Sequence, residues 1–313
     1  MEDKTPQGEP SPFPIYLELL RRGLLAARVA DARAALRDCC LCGNDCGLDR
    51  TQRPGPCRVG AVAWVASYGP HMGEEDVLRG WRGSGTIFFS GCNLHCRYCQ
   101  NYDISQALIG EPVDAERLAM MMLRLQAMGC HNINLVSPTH VVPQIVAGLA
   151  VAIQAGLRLP VVYNTGGYDA PQALALMDGL VDIYMPDMKY ADAAVGKRLS
   201  LVPDYPVVNQ AALREMHRQV GDLVIDADGL AQRGLLVRHL VLPEGLAGTS
   251  EVARFLAEEI SADTYINVMA QYRPAYKADG MPPLDRCVTR AEYEAACLQA
   301  REAGLQRFDR RCL

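Results

Sequence analysis

The chain has 313 residues, half of them hydrophobic, and a formal net charge of −5 from 36 acidic and 31 basic side chains. That length supports one sizeable core with a small appended module, and the acidic balance argues against a protein that wraps nucleic acid electrostatically. Residues 1–14 are polar and proline-rich, without the basic start and apolar run of a signal peptide, and no apolar stretch approaches the roughly 18 residues of a membrane helix. A cytoplasmic protein with no membrane contact is expected.

Residues 15–37 read as helical, with Leu25, Val29, Ala32 and Leu36 recurring on one face. The composition then changes: residues 39–57 are rich in Gly, Pro, Asn and Asp and read as a loop module held by cysteines. Cys39, Cys42, Cys46 and Cys57 form C-x2-C-x3-C-x10-C, with Cys40 as an extra thiol. Four such donors suit either a closed tetrahedral zinc site or a second iron–sulfur cluster.

Eight of the twelve cysteines lie between positions 39 and 99. In a reducing compartment clustered thiols bind metal or do redox work more often than they form disulfides. Cys130, Cys287, Cys297 and Cys312 are scattered and are expected to be ordinary small apolar residues. His71-Met72-Gly73-Glu74-Glu75 superficially matches a zinc-protease pair, but Pro70 and Gly73 oppose the helix that motif needs, so a solvated loop is expected there, with lining of the substrate mouth by the histidine and acids as the alternative.

From residue 85 strands and helices alternate. Strands are expected at 85–90, 133–136, 161–164, 181–185, 235–242 and 264–269, and helices at 115–128, 142–154, 171–177, 191–199, 211–220, 250–260 and 290–303. Six strand–helix units imply an α/β protein with a parallel sheet and its sites at the carboxyl ends of the strands. Six is fewer than the eight of a closed barrel, which leaves an open doubly wound sheet or a partial barrel. The expected division is residues 1–60 as an N-terminal helix and cysteine-rich module, and 61–313 as the core.

Directly after the first expected strand comes Cys92-Asn93-Leu94-His95-Cys96-Arg97-Tyr98-Cys99, a C-x3-C-x2-C triad in a loop. Thiolates are the usual ligands of iron–sulfur clusters, and three of them leave one iron of a four-iron cubane open to a substrate. A zinc site completed by His95 competes with this reading, but His95 sits awkwardly between two of the ligands.

C-x3-C-x-aromatic-C after the first strand resembles the signature of the radical SAM superfamily. The resemblance implies a partial (β/α)6 TIM-like barrel and a [4Fe-4S] cluster on Cys92, Cys96 and Cys99. It also implies S-adenosylmethionine (SAM) chelating the open iron, with Tyr98 near the adenine. In that family the reduced cluster splits SAM into methionine and a 5′-deoxyadenosyl radical that abstracts hydrogen, with electrons from a reductant such as flavodoxin or ferredoxin.

Within the superfamily, nearly the whole chain is similar to the pyruvate formate-lyase activating enzymes, in particular the PflX branch. The similarity runs from the 39–57 cysteines through GTIFFSGCNLHCRYCQN, YNTGGYD, MPDMKY and MAQYRP. Where many members bind the SAM amine through Gly-Gly-Glu, this chain has Ser137, Thr139 and His140 as substitutes. Asn164-Thr165-Gly166-Gly167 is a permissive turn open to a ligand. Asp187 and Lys189 are similar to an activase pair that anchors SAM, and Arg238 to an arginine that contacts it.

An arginine inside an apolar strand also requires an anion or solvent. Gln271-Tyr272-Arg273-Pro274 replaces a histidine-containing segment of the activases. The expected reactions are activation of a glycyl-radical protein or modification of a peptide or small molecule. The alternative is a non-catalytic iron–sulfur electron carrier or metal-binding protein.

Overall fold

The structure, a computed structural model, describes residues 13–310; the polar leader through residue 12 and Cys312 lie outside them. Two helices, α1 (Tyr16–Arg21) and α2 (Leu25–Ala34), stand where one was expected. Gly23 between them has φ +67°, a left-handed conformation that glycine adopts without steric cost and that ends a helix. The expected apolar face is kept, with Leu25, Ala32 and Leu36 buried. Tyr16 Oη donates to Leu159 O at 2.8 Å and Arg28 Nη1 to Asp178 O at 2.7 Å, so this leading segment is pinned to the helical layer behind the sheet.

The chain continues through β1 (Ala63–His71), α3 (Asp76–Arg79), β2 (Ser84–Phe89), α4 (Tyr102–Ala107), β3 (Glu111–Val113) and α5 (Ala115–Ala127). Next come β4 (Ile133–Val136), α6 (Val142–Gln154), β5 (Val161–Thr165), α7 (Pro171–Met177), β6 (Ile183–Pro186), α8 (Ala193–Ser200) and α9 (Tyr205–Val220). The last elements are β7 (Val224–Ile225), β8 (Ala231–Leu240), α10 (Thr249–Phe255), β9 (Tyr265–Met269), α11 (Arg290–Glu302) and β10 (Arg307–Phe308).

The strands order as β10-β9-β8-β6-β5-β4-β2-β1-β3, and every pairing from β2 to β10 along that path is parallel. Strands β2, β4, β5, β6, β8 and β9 are the six expected from the sequence, and they build the partial (β/α)6 barrel. Helices cover the outside. On α5, Leu118, Met121, Met122 and Leu125 recur at helical spacing and are buried, and the Asp114 side chain caps the first turn by accepting from Arg117 N at 2.8 Å.

Strand β1 was not expected from the sequence; it runs antiparallel to β2 and carries the short β3 on its other edge. Helix α9 begins at Tyr205, six residues before the expected start, with Pro206 in its first turn. Among the described residues no helix is long and apolar enough to cross a membrane.

Candidate active site at the carboxyl ends of the strands

A cavity of about 360 Å3 opens where the parallel strands end, within the size range of small-molecule sites. Its wall includes Cys92, Cys96, Tyr98 and Cys99 from the loop after β2. The later strands add Ser137 after β4, Asn164 from β5, Asp187 and Lys189 after β6, and Arg238 from β8. Nine of the expected site residues, far apart in sequence, therefore face one space. The loop after β2 carries no regular structure because its backbone bonds go elsewhere: Arg97 N donates to Leu199 O, and Arg97 O accepts from Lys277 N, both at 2.8 Å.

Each cysteine of the triad has a polar partner. Leu94 N donates to Cys92 Sγ at 3.4 Å, Ser200 Oγ to Cys96 Sγ at 3.0 Å, and Ser105 Oγ lies 3.2 Å from Cys99 Sγ. Burial, with the neighbouring thiols, pushes the Cys92 and Cys96 thiols above their ordinary range, so as free thiols they are neutral. The chain from Tyr98 Oη to Tyr190 Oη (2.6 Å) and on to Ser200 Oγ (2.7 Å) locks the Tyr98 ring in place. His95 is turned to Gln106, with Nδ1 3.0 Å from Gln106 Oε1, and is not in the cavity wall. Among the described residues no three Cys, His, Asp or Glu side chains are drawn together tightly enough to hold a single ion.

Opposite the cysteines, Lys189 Nζ and Asp187 Oδ2 form an ion pair at 2.5 Å. Burial opposes the ammonium charge, but Asp187 outweighs it and holds Lys189 well above its ordinary value, so the ammonium is charged at neutral pH. Arg238 Nε donates to Glu75 Oε1 at 2.8 Å and Nη2 to Glu75 Oε2 at 2.6 Å, and Nη2 also contacts Glu74. The anion that Arg238 requires is thus supplied by the protein itself. His239, next along β8, points out of the barrel to Met188 O (2.7 Å) and Thr249 Oγ1 (2.9 Å).

Three expectations are corrected here. Glu74 and Glu75 are not in a solvated loop: they are 5% and 1% exposed and line the cavity, and Asn267 Nδ2 donates to Glu75 Oε1 at 2.7 Å. Thr139 and His140 are not in the cavity wall. Thr139 Oγ1 is committed to Asp169 Oδ1 at 2.7 Å, and His140 Nε2 donates to Ser90 O at 2.9 Å. Burial lowers the His140 imidazole to about 4, so it stays neutral. Cys287 is exposed rather than packed, unlike Cys130 and Cys297.

Two residues were missed in the sequence. Ser200 falls just past the helix expected at 191–199, and Asn267 lies inside a strand with nothing local to mark it. Gly167, by contrast, is legible as a strained turn: at φ +74° a methyl group there would stand 2.2 Å from Asp187 O and from Asn209 Nδ2. Gly167→Ala is therefore expected to destabilise the protein by about 2–4 kcal/mol, from left-handed strain plus overpacking. A lowered urea midpoint at unchanged slope checks it.

The fold and the cavity define an α/β barrel enzyme whose polar site sits at the strand ends beside a cysteine loop. The sequence model of the Radical SAM superfamily matches residues 86–218, from β2 into α9. Residues 86–218 therefore form a radical SAM domain, a family whose members hold a [4Fe-4S] cluster and SAM and depend on a reductant.

"Uncharacterized protein MJ0674" of Methanocaldococcus jannaschii is 30% identical to this chain over 299 residues, covering 92% of this chain and 82% of that protein. A crystal structure of Streptococcus suis SuiB bound to precursor peptide SuiA aligns at 11% identity with a TM-score of 0.46, over 69% of this chain and 46% of that chain. The chain spans less than half the length of SuiB.

Proposed function

We propose that Cys92, Cys96 and Cys99 hold a [4Fe-4S] cluster at which SAM is reductively cleaved, and that the resulting radical abstracts hydrogen from a protein, peptide or small-molecule substrate. One observation carries this reading: three cysteines, a lysine–carboxylate pair and a buried arginine–glutamate group line a single cavity. The donor set fits, since three thiols leave a corner iron open and each thiol already has a polar neighbour suited to a thiolate. When bound, the cluster supplies the electron that splits the sulfonium and releases methionine and a 5′-deoxyadenosyl radical.

The residues of the chain do the rest. Lys189 offers a cation to the SAM carboxylate, while Asp187 and Glu74 offer anions to its ammonium and sulfonium. Tyr98, held by Tyr190, presents a fixed ring wall, and Ser137 and Asn164 offer hydrogen bonds at the ends of β4 and β5. Arg238, held by Glu75, keeps its charge aimed at the cavity. Residues 61–313 act as the catalytic core and residues 1–60 as an accessory module.

The similarity to pyruvate formate-lyase activating enzymes supports a glycyl-radical protein as substrate, with flavodoxin or ferredoxin as donor. The changed segment after β9 supports a different peptide or small molecule.

The test is anaerobic reconstitution with dithionite and SAM: 5′-deoxyadenosine is the expected product. Iron and sulfide incorporation without that product makes the chain an electron carrier instead. Deuterium-labelled extract fractions then identify the substrate as the fraction that delivers label into 5′-deoxyadenosine.

Ser200 has a positioning role that can be read without turnover. Its hydroxyl donates to Cys96 Sγ at 3.0 Å and stabilises the more negative reduced cluster more than the oxidised one. Ser200→Ala is expected to move the midpoint potential more negative by roughly 30–60 mV, the equivalent of about 1 kcal/mol for one electron. Potentiometric titration of the reconstituted protein checks the direction.

A further inference from the structure

Arg50, in the cysteine-rich part of the N-terminal module, is 1% exposed. Its Nε donates to Val59 O at 3.0 Å, its Nη2 to Gly60 O at 3.2 Å, and its Nη1 lies 3.7 Å from Cys39 Sγ. Among the described residues no carboxylate forms an ion pair with it. An isolated buried charge costs several kcal/mol unless an opposite charge lies beside it, and two carbonyls supply only dipoles.

The groups around Arg50 that can carry negative charge are thiols. A methyl group at Gly55 would stand 3.6 Å from Cys57 Sγ, 3.8 Å from Cys46 Sγ and 4.0 Å from Arg50 Cδ, so two sulfurs and the arginine stem meet at one glycine. Asn44 Nδ2 lies 3.6 Å from Cys42 Sγ. Four thiolates around a metal centre retain net negative charge, which is the counter-charge that Arg50 otherwise lacks.

This group also touches the catalytic loop. The Asn44 amide that faces Cys42 donates to Asn93 O at 2.7 Å, and Asn93 is the residue after Cys92. A methyl group at Gly91 would stand 2.6 Å from Cys57 O, so the two cysteine loops are in backbone contact on that side as well.

We propose that Cys39, Cys42, Cys46 and Cys57, with Arg50 as their buried counter-ion, hold a second [4Fe-4S] cluster that passes electrons to the cluster on Cys92, Cys96 and Cys99. An external one-electron donor reduces the second cluster. That electron then moves to the first cluster, which returns the second to its oxidised state. The relay rests on the proposed function, whereas the presence of the second cluster does not.

The test uses the full chain purified and reconstituted without oxygen, with Cys92, Cys96 and Cys99 all changed to alanine. It is expected to keep about four irons per chain and, once reduced, to give a cluster electron paramagnetic resonance signal that SAM does not alter. Zinc in place of iron, or no metal, overturns the proposal. If that variant does not fold, the wild-type chain decides: about eight irons and two signals, of which SAM perturbs one, are expected, and about four irons overturn it. In the wild-type chain, Arg50→Gln is expected to shift the potential of the SAM-insensitive signal to more negative values, while an unchanged potential removes Arg50 from the assignment. Failure to make 5′-deoxyadenosine would instead count against the proposed function, and leaves the iron count readable.

Discussion

Cys96→Ala is expected to abolish 5′-deoxyadenosine formation, lowering it by about 1,000-fold or more, which corresponds to at least about 4 kcal/mol of barrier. Cys96 is buried, faces the cavity beside Cys92 and Cys99, and accepts a hydrogen bond from Ser200. Two remaining thiols leave a cubane with too few anchors, so the iron content of that site falls together with the activity. The measurements are product formation with dithionite and SAM, and iron per chain. Because alanine fills less space than cysteine, a circular dichroism spectrum matching wild type separates loss of the ligand from loss of the fold. Product at the wild-type rate would remove Cys96 from the ligand set.

Glu75→Gln is the second large effect. Burial pushes the Glu75 carboxyl up, but Arg238 at 2.6 Å and Asn267 at 2.7 Å outweigh it and hold the group well below the usual carboxylate range. Removing one partner of such a buried pair costs about 3–5 kcal/mol, because Arg238 is left with less counter-charge. Glu75 also stands at the start of α3, so its loss frees that helix from β8 and β9 and opens the cavity wall.

The pH dependence has a definite sign. A depressed folded-state pKa contributes stability that is fully present above the ordinary value of 4.5 and is lost as the pH falls toward the folded value. Wild-type stability is therefore expected to drop below about pH 4.5, and the Glu75→Gln profile to be flatter over that window. Urea unfolding at several pH values checks both the size and the slope. Equal midpoints at neutral pH would mean that Arg238 finds its charge balance elsewhere.

How much of the site was legible depended on distance along the chain. Short-range spacing placed the Cys92, Cys96 and Cys99 triad in a loop after a strand, and placed Asp187, Lys189 and Arg238 at or near the ends of later strands. Parallel strands bring their carboxyl ends together, so a count of six strand–helix units was enough to expect those residues around one space. Thr139 and His140 passed the same positional criterion and still fell outside the cavity. A tight turn after β4 sends them to Asp169 and Ser90 instead.

By itself, then, the sequence determined the alternation of elements, the cysteine triad and the strand-end charges, because each is set by neighbours within one strand–helix unit. Only the tertiary structure decided which groups those residues face. Glu75 and Arg238 are 163 residues apart, and Cys96 and Ser200 are 104 apart. The antiparallel β1, absent from the strands expected, is held by its pairing with β2. The physical reason is the same in each case: burying a charge or a sulfur forces a partner to be found, but local periodicity carries no information about where along the chain that partner lies.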